Sequence, residues 1–269
     1  MHLTDYRSMI AKFNCQKQTQ ICSCHAMDGY FYIGSGPEGV VYRTKDGSDL
    51  SEFYKTGENY VTAIADFGNA LFIGTSPHGY IFMHNFSTGN RFHYVTSGDY
   101  QVTAFCVYSN KLYAGTSPSG LVFSFDGTTW AMEYDSYGGG VKSMISFGDS
   151  MYLFVEEIDF IPCLTPSGWK IMKNGDQSFS LSAFKKVTTS LSFLDKNQNF
   201  DYSFKCAAAT SKKLYFCSGN RCNLYETDGK TVKIAYQWSG KSINSIEVIG
   251  DKQLVVAVDD YVYVANLEL

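Results

Sequence analysis

Short apolar runs alternate with polar punctuation along nearly the whole chain, and within each run every second side chain falls on the same face, the period of a pleated strand. Val61-Thr-Ala-Ile-Ala-Asp-Phe67 and Val102-Thr-Ala-Phe-Cys-Val-Tyr108 are two such runs. Each leads through a two-residue turn, Gly68-Asn69 or Ser109-Asn110, into a second run at 70–73 or 111–114. A Pro-x-Gly segment follows, Gly74-Thr-Ser-Pro-His-Gly79 or Gly115-Thr-Ser-Pro-Ser-Gly120, and then a third, aromatic run. The first copy keeps this segment as Gly34-Ser-Gly-Pro-Glu-Gly39. Asp46-Gly47, Asp126-Gly127 and Asp228-Gly229 supply the positive φ that a tight turn into a fourth strand requires.

The first runs begin near 21, 61, 102, 141, 204 and 243, at intervals of 40, 41, 39, 63 and 39 residues. Their third residue is Ser23, Ala63, Ala104, Ser143, Cys206 or Ser245, small in every copy. A strand repeat with a period near forty predicts an all-β, single six-bladed β-propeller over 1–269. The small third residue then has a steric reason, because six first strands converge on the axis and bulky side chains would collide there. Aromatic residues belong in the outer strands, where they fill the widening gaps between twisted sheets. The last copy shows three runs, at 243–249, 253–258 and 261–265, so the segment 8–14 is expected to supply its outer strand and close the ring. The interval of 63 residues places an insertion at about 174–203 in blade four, where Val155-Glu-Glu-Ile-Asp-Phe160 also replaces the Pro-x-Gly turn. Insertions of that length in compact domains are commonly functional, which makes this one a candidate partner contact.

Composition agrees with short strands: 20 Tyr, 20 Phe and 24 Gly stand against 5 Pro in 269 residues. A net charge of −4 provides no field for displacing counterions from a phosphate backbone, which argues against nucleic acid. The opening Met1-His-Leu-Thr-Asp-Tyr-Arg7 lacks the pattern of a secretion signal, and no apolar run reaches the length of a membrane span. A soluble protein, cytoplasmic or virion-associated, without membrane contact is the expectation.

Chemical motifs are sparse. Burial is the plain reading of Cys22, Cys24, Cys106 and Cys206, which fall in first runs. Strand alternation separates Cys22 and Cys24 from His25, so no zinc site is expected. Cys217 and Cys222 flank a hairpin turn closely enough to bridge in an oxidising compartment, which a chain without an export signal does not ordinarily meet. No nucleophile elbow, phosphate-binding loop or His-Glu-x-x-His pair is present. Glu156, Glu157 and Asp159 have no calcium-loop spacing. The expectation is of no catalytic residues, no metal, no cofactor and no enzymatic activity.

The Gly-Thr-Ser-Pro-x-Gly segments at 74–79 and 115–120, with Asp126-Gly-Thr-Thr-Trp130, resemble repeats of uncharacterised propellers in bacterial and phage structural proteins. Ser124-Phe-Asp-Gly-Thr-Thr-Trp130 is also similar to the Asp-box turn of sialidase-type propellers, with one residue fewer between Asp126 and Gly127. The arginine clamp of a sialidase is missing, because Arg7, Arg43, Arg91 and Arg221 do not recur at a first-strand position.

Binding is the remaining class. In a propeller the loops entering each first strand share one face with the turns between second and third strands. That face would display Tyr60, Asp99, Tyr100, Tyr137 and Trp238 from the loops, with His78 and Arg221 from the turns. Tyr, Trp and Arg anchor interfaces, which predicts a protein-protein interaction or structural role in a larger assembly, such as a phage virion or tail. The alternative is a lectin-like propeller whose aromatics stack on glycans.

Overall fold

The computed structural model describes residues 9–14, 20–95, 98–156, 160–173, 204–218, 223–227, 232–238 and 242–267. They form six antiparallel sheets of four strands each. Blade 1 is β2 (Gln20–Met27), β3 (Tyr30–Gly36), β4 (Val40–Thr44) and β5 (Ser51–Lys55). Blade 2 is β6 (Tyr60–Phe67), β7 (Ala70–Ser76), β8 (Tyr80–Asn85) and β9 (Arg91–Val95). Blade 3 is β10 (Gln101–Tyr108), β11 (Lys111–Ser117), β12 (Leu121–Phe125) and β13 (Trp130–Asp135). Blade 4 is β14 (Val141–Phe147), β15 (Ser150–Val155), β16 (Phe160–Thr165) and β17 (Gly168–Lys173). Blade 5 is β18 (Phe204–Ala209), β19 (Leu214–Ser218), β20 (Asn223–Thr227) and β21 (Val232–Gln237). Blade 6 is β22 (Ile243–Ile249), β23 (Gln253–Val258), β24 (Tyr261–Asn266) and, at its outer edge, β1 (Met9–Asn14). Asn14 of β1 pairs with Tyr261 and Phe13 with Val262. The expected insertion at 174–203 lies outside the described residues.

Every first strand carries a β-bulge at the same place. The register with the second strand shifts between Val61 and Ala63, between Val102 and Ala104, and at the matching site of the other four blades. A bulge leaves one residue outside the ladder and turns it away from its own sheet. That freed residue ties blade to blade. Thr62 Oγ1 donates to the carbonyl of Val102, Thr103 Oγ1 to that of Val141, and Asn244 Nδ2 to that of Ile21 at 2.8 Å. Between blades 1 and 2 the neighbouring Ser23 Oγ serves, at 2.9 Å from the Val61 carbonyl.

The apolar core is divided among the junctions between blades. Tyr32, Val41 and Tyr54 of blade 1 pack against Val61, Ile64, Leu71 and Ile73 of blade 2. Phe72 and Ile81 meet Val102, Leu112 and Phe125 in the next junction. The last junction sets Val255, Ala257, Val262 and Val264 of blade 6 against Ile21, Ile33, Val40 and Tyr42 of blade 1. Aromatic rings fill the outer parts, as with Tyr134 on Trp169 at 4.4 Å and Phe125 on Trp130 at 5.1 Å. Close approach at the inner end has its own requirement. A Cβ on Gly74 would lie 2.6 Å from Val102 Cγ1, and one on Gly115 the same distance from Val141 Cγ1.

The hairpin turns follow their sequence chemistry. Ser109 and Asn110 both take positive φ, 47° and 59°, as a two-residue turn matched to strand twist demands. Asp126 accepts the amides of Thr128 and Thr129 at 2.8 and 2.9 Å, and these bonds hold its carboxyl well below the usual carboxylate range.

Candidate functional site

The third-position residues Ser23, Ala63, Ala104, Ser143, Cys206 and Ser245 line one axial cavity of about 320 Å³. Below them the channel is not inert. His25, its side chain 13% exposed, sets Nε2 2.8 Å from Asp66 Oδ1 of blade 2 and Nδ1 2.7 Å from Glu247 Oε1 of blade 6. Burial opposes charge on this imidazole, but Glu247 and Asp66 outweigh it and raise the pKa to about 10. The same contact with His25 holds the Asp66 carboxyl below its ordinary range. Glu247 Oε2 is buried and has no hydrogen-bond partner among the described residues. A single imidazolium therefore joins three consecutive blades across the seam of the ring.

The channel thiols are quiet. Burial and then Glu247 push Cys24 up to about 12, and burial does the same to Cys106. Thiols so placed stay protonated and are poor nucleophiles or ligands. Among the described residues no group of three His, Cys, Asp or Glu is placed to hold a metal ion. Cys206 and Cys217 face each other across β18 and β19 with their sulfurs 3.0 Å apart. Cys222, the partner expected for Cys217, lies outside the described residues.

On the face where first strands begin, two loops are built alike. Glu58 and Asp99 each stand three residues before the first apolar residue of the following blade, and both are buried. Each carboxylate reaches the central residue of a Pro-x-Gly turn. Glu58 Oε2 accepts the His78 amide at 3.1 Å, and Asp99 Oδ1 accepts the Ser119 amide at 3.2 Å. Asp99 also accepts Thr116 Oγ1 and the amide of Tyr100. The turns themselves contain cis Ser76–Pro77 and Ser117–Pro118 bonds, with Gly79 and Gly120 at φ 62° and 72°. Asp99 thus acts from beneath the surface as a support.

Three expected residues do face solvent. Tyr100 is 67% exposed, Tyr137 is 88% exposed, and the His78 side chain is 62% exposed while stacked on Tyr80 at 5.6 Å. Tyr137 adopts φ 56°, and its amide donates to Asp135 Oδ1 at 2.8 Å. Trp238 requires a correction. At 6% exposure it packs between Tyr236 and Tyr263 in the junction of blades 5 and 6, because that junction is wide enough to take an indole. Tyr60 is half-buried, with its ring laid over Gly36, where a Cβ would come within 2.0 Å of it. Equivalent sequence positions therefore do not give a ring of exposed aromatics. Arg221 lies outside the described residues.

The channel cluster went unnoticed in the sequence because His25, Asp66 and Glu247 are far apart along the chain. A signal was present: His25 and Glu247 occupy the same fifth position of first strands that become neighbours once the ring closes.

No family model matches this sequence, and no curated protein matches it. The fold has many solved counterparts. A catalytically inactive virginiamycin B lyase from Staphylococcus aureus, crystallised with quinupristin, superposes with a TM-score of 0.72 at 10% identity, over 96% of this chain and 98% of that one. A streptogramin B lyase gives 0.66 at 10% identity, covering 96% and 97%. YCF48 bound to D1 peptide gives 0.58 at 14% identity, covering 93% and 79%. These likenesses establish the fold, that of a β-propeller. They also correct the expectation that the chain is not an enzyme: two lyases share this architecture over almost their whole length, so the ring and its lack of familiar sequence motifs carry no case against catalysis.

Proposed function

We propose that this propeller binds a protein segment on the face bearing His78, Tyr100 and Tyr137, as part of a larger assembly. The observation that carries the reading is Tyr137. A non-glycine residue in the left-handed region costs free energy, on the order of 1 kcal/mol or more, and this one gains no packing in return at 88% exposure. Asp135 holds the conformation open to solvent, and Tyr100 projects from the loop one blade earlier. Exposed tyrosines are efficient interface anchors, since each offers a large contact area with only two side-chain torsions to fix on binding. A propeller solved with a peptide, YCF48, and another in the nidogen/laminin complex support a protein as the ligand class. The repeat resemblance supports a bacterial or phage particle as the setting.

The test is direct binding of a co-purified, then separately isolated partner to Tyr100→Ala and Tyr137→Ala proteins. Each variant is expected to bind at least tenfold more weakly with an unchanged melting temperature. Undiminished partner binding by both, or glycan binding that is lost in Tyr100→Ala, would overturn the reading in favour of another face or a sugar.

A further inference from the structure

The junction between blades 1 and 2 carries an arrangement on its outer rim that the binding face does not use. Arg43 pairs in register with Tyr32, and so stands on the side of blade 1 that faces blade 2. Arg91 pairs with His84 and stands near Tyr54, on the side of blade 2 that faces blade 1. The Arg43 guanidinium lies 4.7 Å from the centre of the Tyr30 ring and 5.1 Å from that of Phe53. That of Arg91 lies 4.6 Å from the centre of Tyr54, and Lys45 Nζ sits 5.0 Å from Tyr30. His84, within the field of both arginines, stands edge-on against Phe53 at 5.1 Å and Phe86 at 5.0 Å.

Three features of this cleft point to a ligand. Among the described residues neither guanidinium is ion-paired, in a chain with 26 acidic residues against 22 basic ones. A guanidinium stacked on a ring spends its face on the contact and keeps its N–H edge for an oxyanion, with Tyr32 drawing on part of that of Arg43. His84 Nδ1 is buried and has no hydrogen-bond partner among the described residues. Asp28 acts on the Tyr32 hydroxyl, and no acidic group contributes to the shift of His84.

We propose that this cleft binds a phosphate dianion, free or as a monoester, between Arg43 and Arg91 with the His84 imidazole at its base. Burial, Arg91 and Arg43 together depress the His84 pKa, so the ring is neutral until an anion arrives. A dianion reverses the sign of the local field and lets His84 take up a proton and donate to it. Two fixed cations and one inducible cation suit a double charge better than a single one.

The experiment follows His84 by NMR while inorganic phosphate, methyl phosphate or acetate is titrated at constant ionic strength. Phosphate is expected to saturate the His84 shift and raise its apparent pKa. Arg43→Gln and Arg91→Gln should each weaken the effect about tenfold or more, the worth of a charge-assisted hydrogen bond. Methyl phosphate binding as well as inorganic phosphate identifies a monoester site, and phosphate alone a free-anion site. Acetate acting equally, or Gln variants responding like the native protein, would overturn the proposal. Should a Gln variant fail to fold, Arg43→Lys and Arg91→Lys keep the charge and the rim packing, and each should show intermediate binding.

Discussion

At the scale of single residues, the supports beneath the proposed binding face and the axial imidazolium make separate demands. Asp99→Ala takes the carboxylate acceptor from the Ser119 and Tyr100 amides, with an expected loss of about 1–3 kcal/mol by urea denaturation. The His25 contacts make stability depend on pH in two windows. The His25 pKa is raised in the folded protein, so its contribution is complete below its ordinary 6.5 and is lost as pH climbs through about 10. The Asp66 pKa is lowered, so its contribution is present above its ordinary 3.8 and fades as pH falls through the depressed value. Thermal melts across the pH range are expected to show a plateau between these limits, with the alkaline decline removed in His25→Gln. Replacing the ring by His25→Leu leaves the partly buried Glu247 without its counter-charge, with an expected cost below the ~3–5 kcal/mol of a fully buried pair.

At the scale of strands, the bulge and the small residue opposite it decide how closely blades approach. Gly115→Ala sets a methyl against Val141 and is expected to cost about 1–3 kcal/mol, partly recovered when combined with Val141→Ala in a double-mutant cycle. The hub residues, the hairpin turns and the Asp-Gly turns at 46–47 and 126–127 were legible in the sequence, because each is a local demand on side-chain size or φ, while Asp228-Gly229 lies outside the described residues. Val61-Thr62-Ala63 shows both sides of the matter. The small Ala63 could be read from the repeat, but the bulge at Thr62 could not, since alternation counts residues and a bulge breaks the count. The same break takes Cys22 out of the alternation, which still sets Cys24 and His25 on opposite faces. Trp238 was misplaced for a related reason: position before a first strand says which loop a residue lies in, and the width of the junction says whether its ring goes in or out.

At the scale of the whole molecule, the ring is joined by hydroxyls and an amide reaching from one hub strand to the next carbonyl, and by β1 lying on β24. Deleting 9–14 opens the β24 edge, with an expected drop in melting temperature of more than about 4 °C and concentration-dependent association on size-exclusion chromatography. The charged channel cluster belongs to this scale too. It exists only once blades 6, 1 and 2 are side by side, which is why no stretch of the chain announces it.

The grip of Asp99 on the crest of its turn has a practical corollary. It seizes the amide of residue 119 and ignores the serine hydroxyl, whereas Glu58 holds both the main chain and the imidazole of residue 78. Backbone geometry at 119 is therefore indifferent to which side chain is mounted on it. Lineages or engineers could swap the outward chemistry at that crest as one changes the bit in a drill, while the chuck stays clamped.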